Sequence, residues 1–395
     1  MRNAAALVAP DGNGSLAGYA GALGAALGAE PVVAEGCSSG FGGRVLSRAS
    51  LSHLACEARA VRMLRALDAP LLHFTSHHLA RYGPFQGTPY VVTVHDLMRH
   101  RDCTERGGER LIHQPNLRDR LHLRLDAAGL RAAAALIAVS DHTRRELTQL
   151  LGVPADRIHV VPEGVDCTAF RPVAGRPLEA PYVLYVGSEQ PRKNLPTLFR
   201  AFARVRHAVP GLKLAKVGAP GGPEAPFRET TLAAARETGV VPDVVFANRV
   251  SHEELLAWYS GALCLVQPSR HEGFGLTPLE AMACGCPVIV SAGGALPEVV
   301  GSAGVVYGRP GDVDALAWEL TRLLASRAER AALAEMGRER AARMSWRLAA
   351  ERTRRVWAAA LGERQPLVSR PRTRSRFQES TRAGTRQTAR SGRSP

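Results

Sequence analysis

Short apolar runs alternate with segments of helical periodicity along most of this chain. The runs are continuous rather than alternating, as expected of strands buried on both faces of a sheet. In the first half they are AAALVAP (4–10), LLHFT (71–75), YVVTVHD (90–96), ALIAVS (135–140) and IHVVPEG (158–164), with helical stretches at 15–28, 48–66, 109–132 and 141–151. This order is typical of βαβ units and predicts parallel sheets.

A proline-containing segment without periodicity, residues 166–181, divides this series from a second one. The second series is YVLYVG (182–187), LKLAKVG (212–218), VVFANRV (244–250), LCLVQPS (263–269), PVIVS (287–291) and GVVYG (304–308), followed by three helical patterns. We therefore predict an α/β fold of two doubly wound, Rossmann-like domains, residues 1–175 and 176–344, whose strands end at one central cleft.

The chain is basic, with 51 lysines and arginines against 36 aspartates and glutamates in 395 residues. Such a balance suits an anionic ligand, a membrane surface or nucleic acid, and charge alone does not choose among them. Residues 363–395 contain nine arginines and few aliphatic side chains, so we expect a disordered tail.

The seven cysteines are scattered and show neither a CxxC pair nor a zinc-ligand spacing. This usage favours reduced thiols and a cytoplasmic protein. No apolar run approaches the roughly 20 residues that a membrane-spanning helix needs.

The turn VGSEQPRKNLPTL (186–198) carries two adjacent cations between a strand and a helix. Gly187 ends the strand, and Arg192 and Lys193 precede a helix expected to begin near Leu195. Two cations beside a helix N-terminus favour a diphosphate. The same pair is equally compatible with a solvated basic turn.

A second turn, PSRHEGFGLTPLEAMACG, holds Glu272 and Glu280 eight positions apart. Gly273 and Gly275 would let the backbone approach a ligand closely. A helix is expected to begin at about Thr277, and Glu280 would lie one turn into it, where it accepts hydrogen bonds from the ribose hydroxyls. The backbone amides expected to face a phosphate belong to Phe274, Gly275, Leu276 and Thr277.

Four stretches together resemble the GT-B glycosyltransferases of family 4: VTVHDL, AVSDHTRRELTQLLGVPADRIHVVPEGVD, GSEQPRKNL and HEGFGLTPLEAMACGCPVIVSAGGALPEVVG. The resemblance implies that Arg192 and Lys193 neutralise the leaving diphosphate, that Glu280 holds the ribose and that Glu272 binds hydroxyls of the donor sugar. It also implies that His95 lies across the cleft near the transferred sugar. Gly14, in DGNGSLAGY, matches the family's glycine-rich turn beside the diphosphate, although that stretch is less regular than usual.

The resemblance further implies a retaining enzyme, with residues 345–362 crossing back to the first domain. Because no DxD-like acidic motif follows a strand, we expect no metal and no cofactor, and the cations and helix amides supply the positive field. The expected donor is a nucleotide-diphosphate sugar, GDP-mannose in first place, and the acceptor a glycan or a lipid-linked glycan.

Two other functions remain open at this point. One is a sugar phosphorylase or a nucleotide-sugar epimerase on the same fold. The other is a basic-tailed protein that binds nucleic acid or an anionic surface; because the tail offers only Phe377 for base stacking, nucleic acid is the less favoured partner. Peripheral contact with the inner face of the membrane would fit a lipid-linked acceptor.

Overall fold

The computed structural model describes residues 5–11, 15–34, 49–104, 111–112, 115–220 and 226–362. Gly14 and the arginine-rich segment 363–395 lie outside the described residues, so their predicted roles stay predictions.

The first half of the chain forms a parallel six-stranded sheet in the order β2-β1-β3-β4-β5-β6. Its strands are β1 (Ala6–Pro10), β2 (Val32–Ala34), β3 (Leu72–Phe74), β4 (Tyr90–Val94), β5 (Ala135–Ala138) and β6 (Ile158–Val160). Five of these fall within the predicted runs. The edge strand β2 was not predicted, because its apolar run is only VVA, enclosed by Pro31 and Glu35, whereas the runs of the other short strands extend beyond the strands themselves.

The second half forms another parallel six-stranded sheet in the order β12-β11-β10-β7-β8-β9. Its strands are β7 (Tyr182–Val186), β8 (Lys213–Val217), β9 (Val244–Ala247), β10 (Cys264–Gln267), β11 (Val288–Val290) and β12 (Val305–Val306). All six lie within the predicted runs, and segment 166–181 between the sheets contains neither helix nor strand. The predicted α/β fold with two parallel sheets is confirmed.

Helices connect the strands. They are α1 (Ser15–Leu27), α2 (Ala49–Arg65), α3 (Met98–Thr104), α4 (Leu117–Ala132), α5 (Asp141–Leu151), α6 (Leu195–Val205), α7 (Pro226–Glu237), α8 (His252–Gly261), α9 (Leu276–Ala283), α10 (Leu296–Val300), α11 (Val313–Ala325), α12 (Arg327–Ala342) and α13 (Trp346–Ala360). The predicted helix 109–132 was wrong at its start: α4 begins at Leu117, because Asn116 and Asp119 form a reciprocal N-terminal cap after Pro115.

The second sheet reverses its strand order between β7 and β10, so the connections after these two strands leave the sheet in opposite directions. Ligands of open parallel sheets bind at the carboxyl ends of strands beside such a reversal. The turns that follow β7 and β10 are the two that carry Arg192, Lys193 and Glu272.

The last described helix, α13, packs on the first half of the chain. Ala349, Ala350, Val356 and Trp357 share a buried cluster with residues of β1 and α1. The indole Nε1 of Trp357 donates to His73 Nδ1 at 3.2 Å, and Arg354 donates to the carbonyl of Leu27 at 3.0 Å. The exact domain boundaries stay a prediction.

Candidate active site

Two cations and one carboxylate meet at the reversal point of the second sheet. Arg192 Nη1 donates to Glu272 Oε2 at 2.8 Å, and Lys193 Nζ donates to Glu272 Oε1 at 2.6 Å. The three side chains are 12 to 17% exposed, so water screens them weakly. The cluster therefore carries one net positive charge in a poorly solvated place.

The turn after β7 explains how the two cations come to point the same way. A single 3-10 turn, Pro191–Lys193, precedes Asn194, whose backbone is left-handed with φ at 57°. The Asn194 amide is buried and donates to the carbonyl of Pro268 at 3.1 Å, and the backbone N–H of Arg270 donates to the carbonyl of Arg192 at 2.7 Å. These bonds tie the turn after β7 to the turn after β10. The helix α6 then begins at Leu195, as predicted.

Glu272 is held by neutral donors as well as by cations. Ser269 Oγ donates to its Oε1 at 2.7 Å and Gln267 Nε2 donates to the same oxygen at 3.1 Å. Burial alone would raise the pKa of this carboxyl, but the charges of Lys193 and Arg192 outweigh burial and hold it well below its usual range. Burial and the charge of Arg192 lower the pKa of Lys193.

Glu280 lies in a different environment. It is partly buried on α9, and the Tyr259 hydroxyl donates to its Oε2 at 2.9 Å. Burial raises the pKa of Glu280 from 4.5 to about 7, with a smaller upward contribution from the charge of Glu163 and a downward one from the Tyr259 hydrogen bond.

The helix α9 begins at Leu276, one residue before the predicted start. Gly275 precedes it with φ at 133°, a conformation that disfavours other residues. In the described part of the chain no side chain caps this helix start, so the first amides keep their capacity to bind an anion.

His95 follows β4 and is buried, with both ring nitrogens engaged. Nδ1 lies 2.8 Å from Glu163 Oε1, and Nε2 lies 2.9 Å from the carbonyl oxygen of Thr75. Both partners are acceptors, so the ring donates from both nitrogens. Burial lowers the pKa of His95, but the hydrogen bond to Glu163 and its charge outweigh burial, and the net shift is upward.

The two halves of the chain touch beside this histidine. A side chain at position 273 would place its Cβ 1.8 Å from the carbonyl oxygen of His95, so the contact requires Gly273. Ser140 Oγ donates to the carbonyl of Gly273 at 2.7 Å, and Glu298 accepts from the backbone N–H groups of Asp141 and His142 at 2.9 and 2.8 Å. The close approach predicted for Gly273 is therefore to the other half of the chain.

The predicted site residues fall into three groups. Arg192, Lys193 and Glu272 form one ion cluster; Gly187 directly follows β7, and its N–H donates to the carbonyl of Val217 at 2.9 Å. Residues 273–275 lead into α9, and Leu276, Thr277 and Glu280 lie on it. His95 contacts this segment where its carbonyl oxygen meets Gly273.

Sequence reasoning missed Glu163 as a site residue, although its position after β6 is the kind that reaches a cleft. The stretch HFTSHH (73–78) offers His77 or His78 for the acceptor side. His77 is buried and His78 nearly so, and burial lowers the pKa of both well below the usual range.

Two protein-family models match consecutive parts of this chain. Glycosyltransferase Family 4 matches residues 12–169, and Glycosyl transferases group 1 matches residues 166–340. Within the described residues, no helix is long and apolar enough to cross a membrane.

Two curated glycosyltransferases are similar to this chain in sequence. D-inositol 3-phosphate glycosyltransferase of Acidothermus cellulolyticus is 33% identical over 227 residues, which cover 54% of this chain and 49% of that protein. MMP alpha-(1->4)-mannosyltransferase of Mycolicibacterium hassiacum is 33% identical over 280 residues, which cover 70% of this chain and 66% of that protein. The chain thus spans less than two thirds of the length of either relative.

Among solved structures, sucrose-phosphate synthase from Thermosynechococcus elongatus superposes with a TM-score of 0.71 at 25% identity, covering 91% of this chain and 97% of that one. The two-sheet architecture is the GT-B arrangement.

Proposed function

Because this chain belongs to the glycosyltransferases, with a family 4 domain followed by a group 1 domain, we propose that it transfers a hexosyl group from a nucleotide-diphosphate sugar to a glycan or lipid-linked glycan. The transfer proceeds with retention of configuration and without a metal at the diphosphate. Mannose is the sugar we favour, since one relative is named as a mannosyltransferase.

The observation that carries this proposal is the convergence of Arg192, Lys193 and Glu272 at the carboxyl ends of β7 and β10. The cluster has an excess positive charge, and a diphosphate placed beside it gives both cations a second anion. Weakly screened charges interact far more strongly than charges in water, so this is a favourable place for a leaving diphosphate.

In this proposal Glu272 has two roles in succession. It neutralises the buried cations until the donor arrives, and it then accepts hydrogen bonds from hydroxyls of the donor sugar. Its depressed pKa supports this, because a carboxylate accepts such bonds and a carboxylic acid accepts fewer.

The start of α9 supports the other end of the donor. The uncapped amides of residues 276 and 277 offer donors to a phosphate, and Glu280 follows on the same helix to accept the ribose hydroxyls. Those hydroxyls favour the carboxylate, so donor binding should lower the pKa of Glu280 from about 7.

His95 acts through its charge and its position. Both of its ring nitrogens are committed to Glu163 and Thr75, so we assign it to positioning the cleft wall rather than to proton transfer. The imidazolium and Glu163 together keep the surface opposite Gly273 polar and rigid.

The chemical step follows from these assignments. The bond between the anomeric carbon and the phosphate oxygen breaks, the acceptor oxygen forms a new bond on the same face, and the acceptor proton passes to the departing phosphate oxygen. Removing one cation aimed at that leaving group typically costs about 3 kcal/mol, or ~10²-fold in rate.

The test begins with a thermal-shift panel of GDP, UDP, ADP and TDP and their sugar conjugates on the full chain. A diphosphate at 100 times its dissociation constant adds roughly 2.7 kcal/mol of stability. We expect one base to stabilise the protein, and Arg192→Ala combined with Lys193→Ala to abolish the shift. The matched control is Arg200→Ala, an exposed arginine on α6, which should leave the shift intact.

If no nucleotide stabilises the protein, or if the double variant responds like Arg200→Ala, the proposed donor site is wrong. Once the donor is known, NMR of the product decides the stereochemistry. The same anomeric configuration in donor and product supports retention, whereas phosphorolysis of a glycan by free phosphate would favour a phosphorylase.

A further inference from the structure

A second side-chain cluster joins the two halves of the chain beside the candidate active site. His142 and Glu146 lie one turn apart on α5, and His271 immediately precedes Glu272 in the turn after β10. The two imidazole Nε2 atoms are 3.1 Å apart, and they lie 3.4 Å and 2.9 Å from Glu146 Oε1. Three potential metal ligands from two parts of the fold thus face one another.

These separations match the edges of a zinc coordination tetrahedron. Zinc binds imidazole nitrogen and carboxylate oxygen at about 2.0 to 2.1 Å, which sets neighbouring ligands about 3.3 Å apart. The three observed distances, 2.9, 3.1 and 3.4 Å, scatter around that value. A small shift of each side chain would admit an ion at the centre.

Hydrogen bonding leaves this cluster incompletely satisfied. Among the described residues, the buried oxygen Glu146 Oε2 has no hydrogen-bond partner. Buried polar atoms without partners are uncommon and point to an ion or water. Arg101 Nη1 also donates to Glu146 Oε1 at 3.1 Å, the oxygen that faces the two imidazoles. A carboxylate oxygen has two lone pairs, so it can accept this hydrogen bond and still bind an ion.

A cavity adjoins two of the three cluster members, His142 and Glu146. Its volume is about 190 Å³, and it is lined by Arg101, His142, Arg145, Glu146, Gln149 and Leu150. Its volume accommodates several water molecules, one of which can complete a tetrahedron. Two histidines, one carboxylate and a water form a ligand set that suits zinc.

We propose that His142, Glu146 and His271 form a zinc site that fastens α5 of the first half to the turn carrying Glu272 in the second. The site is separate from the donor diphosphate and does not depend on the proposed transferase activity. No sequence motif marks this site, because His271 lies 125 positions after Glu146, far from any zinc-ligand spacing. An ion held there would fix the backbone next to Glu272.

The experiment is metal titration of the full chain without a histidine tag, after removal of metal with a chelator. We expect one equivalent of Zn²⁺ to bind with a dissociation constant below about 1 μM in isothermal titration calorimetry. Co²⁺ should give the intense visible absorption of a tetrahedral site. Mass spectrometry of the protein as purified should find about one zinc per chain.

Two ligand variants and one control make the test specific. His271→Ala and His142→Ala should each weaken zinc binding by about 100-fold or more and abolish the cobalt spectrum. His207→Ala, a histidine outside the cluster whose Nε2 accepts from Arg206, should bind zinc like the natural chain. Circular dichroism checks folding, and if His271→Ala is misfolded, the partly exposed His142 decides the result.

The proposal is overturned if the chelator-treated chain binds no zinc at micromolar concentration. It is equally overturned if folded His142→Ala binds zinc as tightly as His207→Ala.

Discussion

The surroundings of Glu272 and of Glu280 shift the pKa values of the two carboxyl groups in opposite directions. Glu272 is enclosed by Arg192, Lys193 and hydroxyl or amide donors, and its pKa is far below the usual range. Glu280, eight positions later, has Tyr259 for a partner, and burial raises its pKa to about 7. At neutral pH Glu272 is therefore ionised, whereas Glu280 changes between its protonated and its ionised form.

The difference shows that the fold, rather than the local sequence, assigns the charge of each carboxyl. Glu272 belongs to the turn after β10, where the neighbouring strand β7 brings two cations. Glu280 lies on a helix that packs into the apolar core between Tyr259, Cys284 and Cys286. A ligand with an anionic group and hydroxyl groups could bind both places: the anion beside the cations that surround Glu272, and hydroxyl groups at Glu280.

The largest expected effect comes from removing the charge of Glu272. Glu272→Gln leaves Arg192 and Lys193 without their buried counter-charge, and breaking a buried pair in this way typically costs about 3 to 5 kcal/mol. We expect the free energy of unfolding, measured with urea, to fall by that amount. A saturating nucleoside diphosphate should stabilise the variant more than the natural chain, because it replaces the missing anion.

The control for this change is Glu339→Gln, which removes a carboxylate whose pair with Arg343 is exposed to water. Exposed pairs contribute little, so its unfolding curve should stay close to that of the natural chain. Equal stability of Glu272→Gln and Glu339→Gln would contradict the picture of a buried charge cluster.

The sequence predicted most strands and the helix starts beside the site, but it did not predict the contacts between side chains that are distant along the chain. Continuous apolar runs located eleven of the strands, and the turn chemistry located Leu195 and the start of α9 to within a residue. These features depend on neighbouring residues, so local patterns record them.

What the sequence could not indicate are contacts made only by folding. The pairing of His95 with Glu163 joins residues 68 positions apart, and the direct contact of Glu272 with both cations joins residues about 80 apart. The sequence placed the cations and Glu272 at one ligand but not against each other. Their mutual neutralisation follows from the strand order, which apolar periodicity does not reveal.

The second prediction concerns stability and pH at Glu280. A carboxyl whose folded pKa is raised from 4.5 to about 7 favours folding while it is protonated. Its contribution is fully present below pH 4.5 and is lost as pH rises through 7. Glu280→Gln cannot ionise and so does not suffer this loss. The free energy of unfolding of the variant, relative to that of the natural chain, should therefore increase by about 2 kcal/mol as the pH rises from 5 to 8.

Urea unfolding of both proteins at several pH values measures this difference, with Glu253→Gln, an exposed acid on α8, as the control. A constant difference between Glu280→Gln and the natural chain across the range would mean that Glu280 is an ordinary carboxylate, and the contrast with Glu272 would fail.

The smallest expected effect concerns the affinity for the donor, and it tests whether the carboxyl group of Glu280 binds the donor. If the ribose hydroxyls require the ionised form of Glu280, a pKa of about 7 leaves roughly a tenth of the protein competent at pH 6 and nine tenths at pH 8. The affinity for a nucleotide-sugar should therefore rise about tenfold between these values.

A nucleotide-sugar is the right probe, because its diphosphate is esterified at both ends and lacks the terminal phosphate proton that titrates near pH 6. In Glu280→Gln the affinity should be lower at pH 8 and nearly constant with pH. A tenfold rise that persists in this variant would assign the titration to another group, and Glu280 would then be a buried acid with no part in binding the donor.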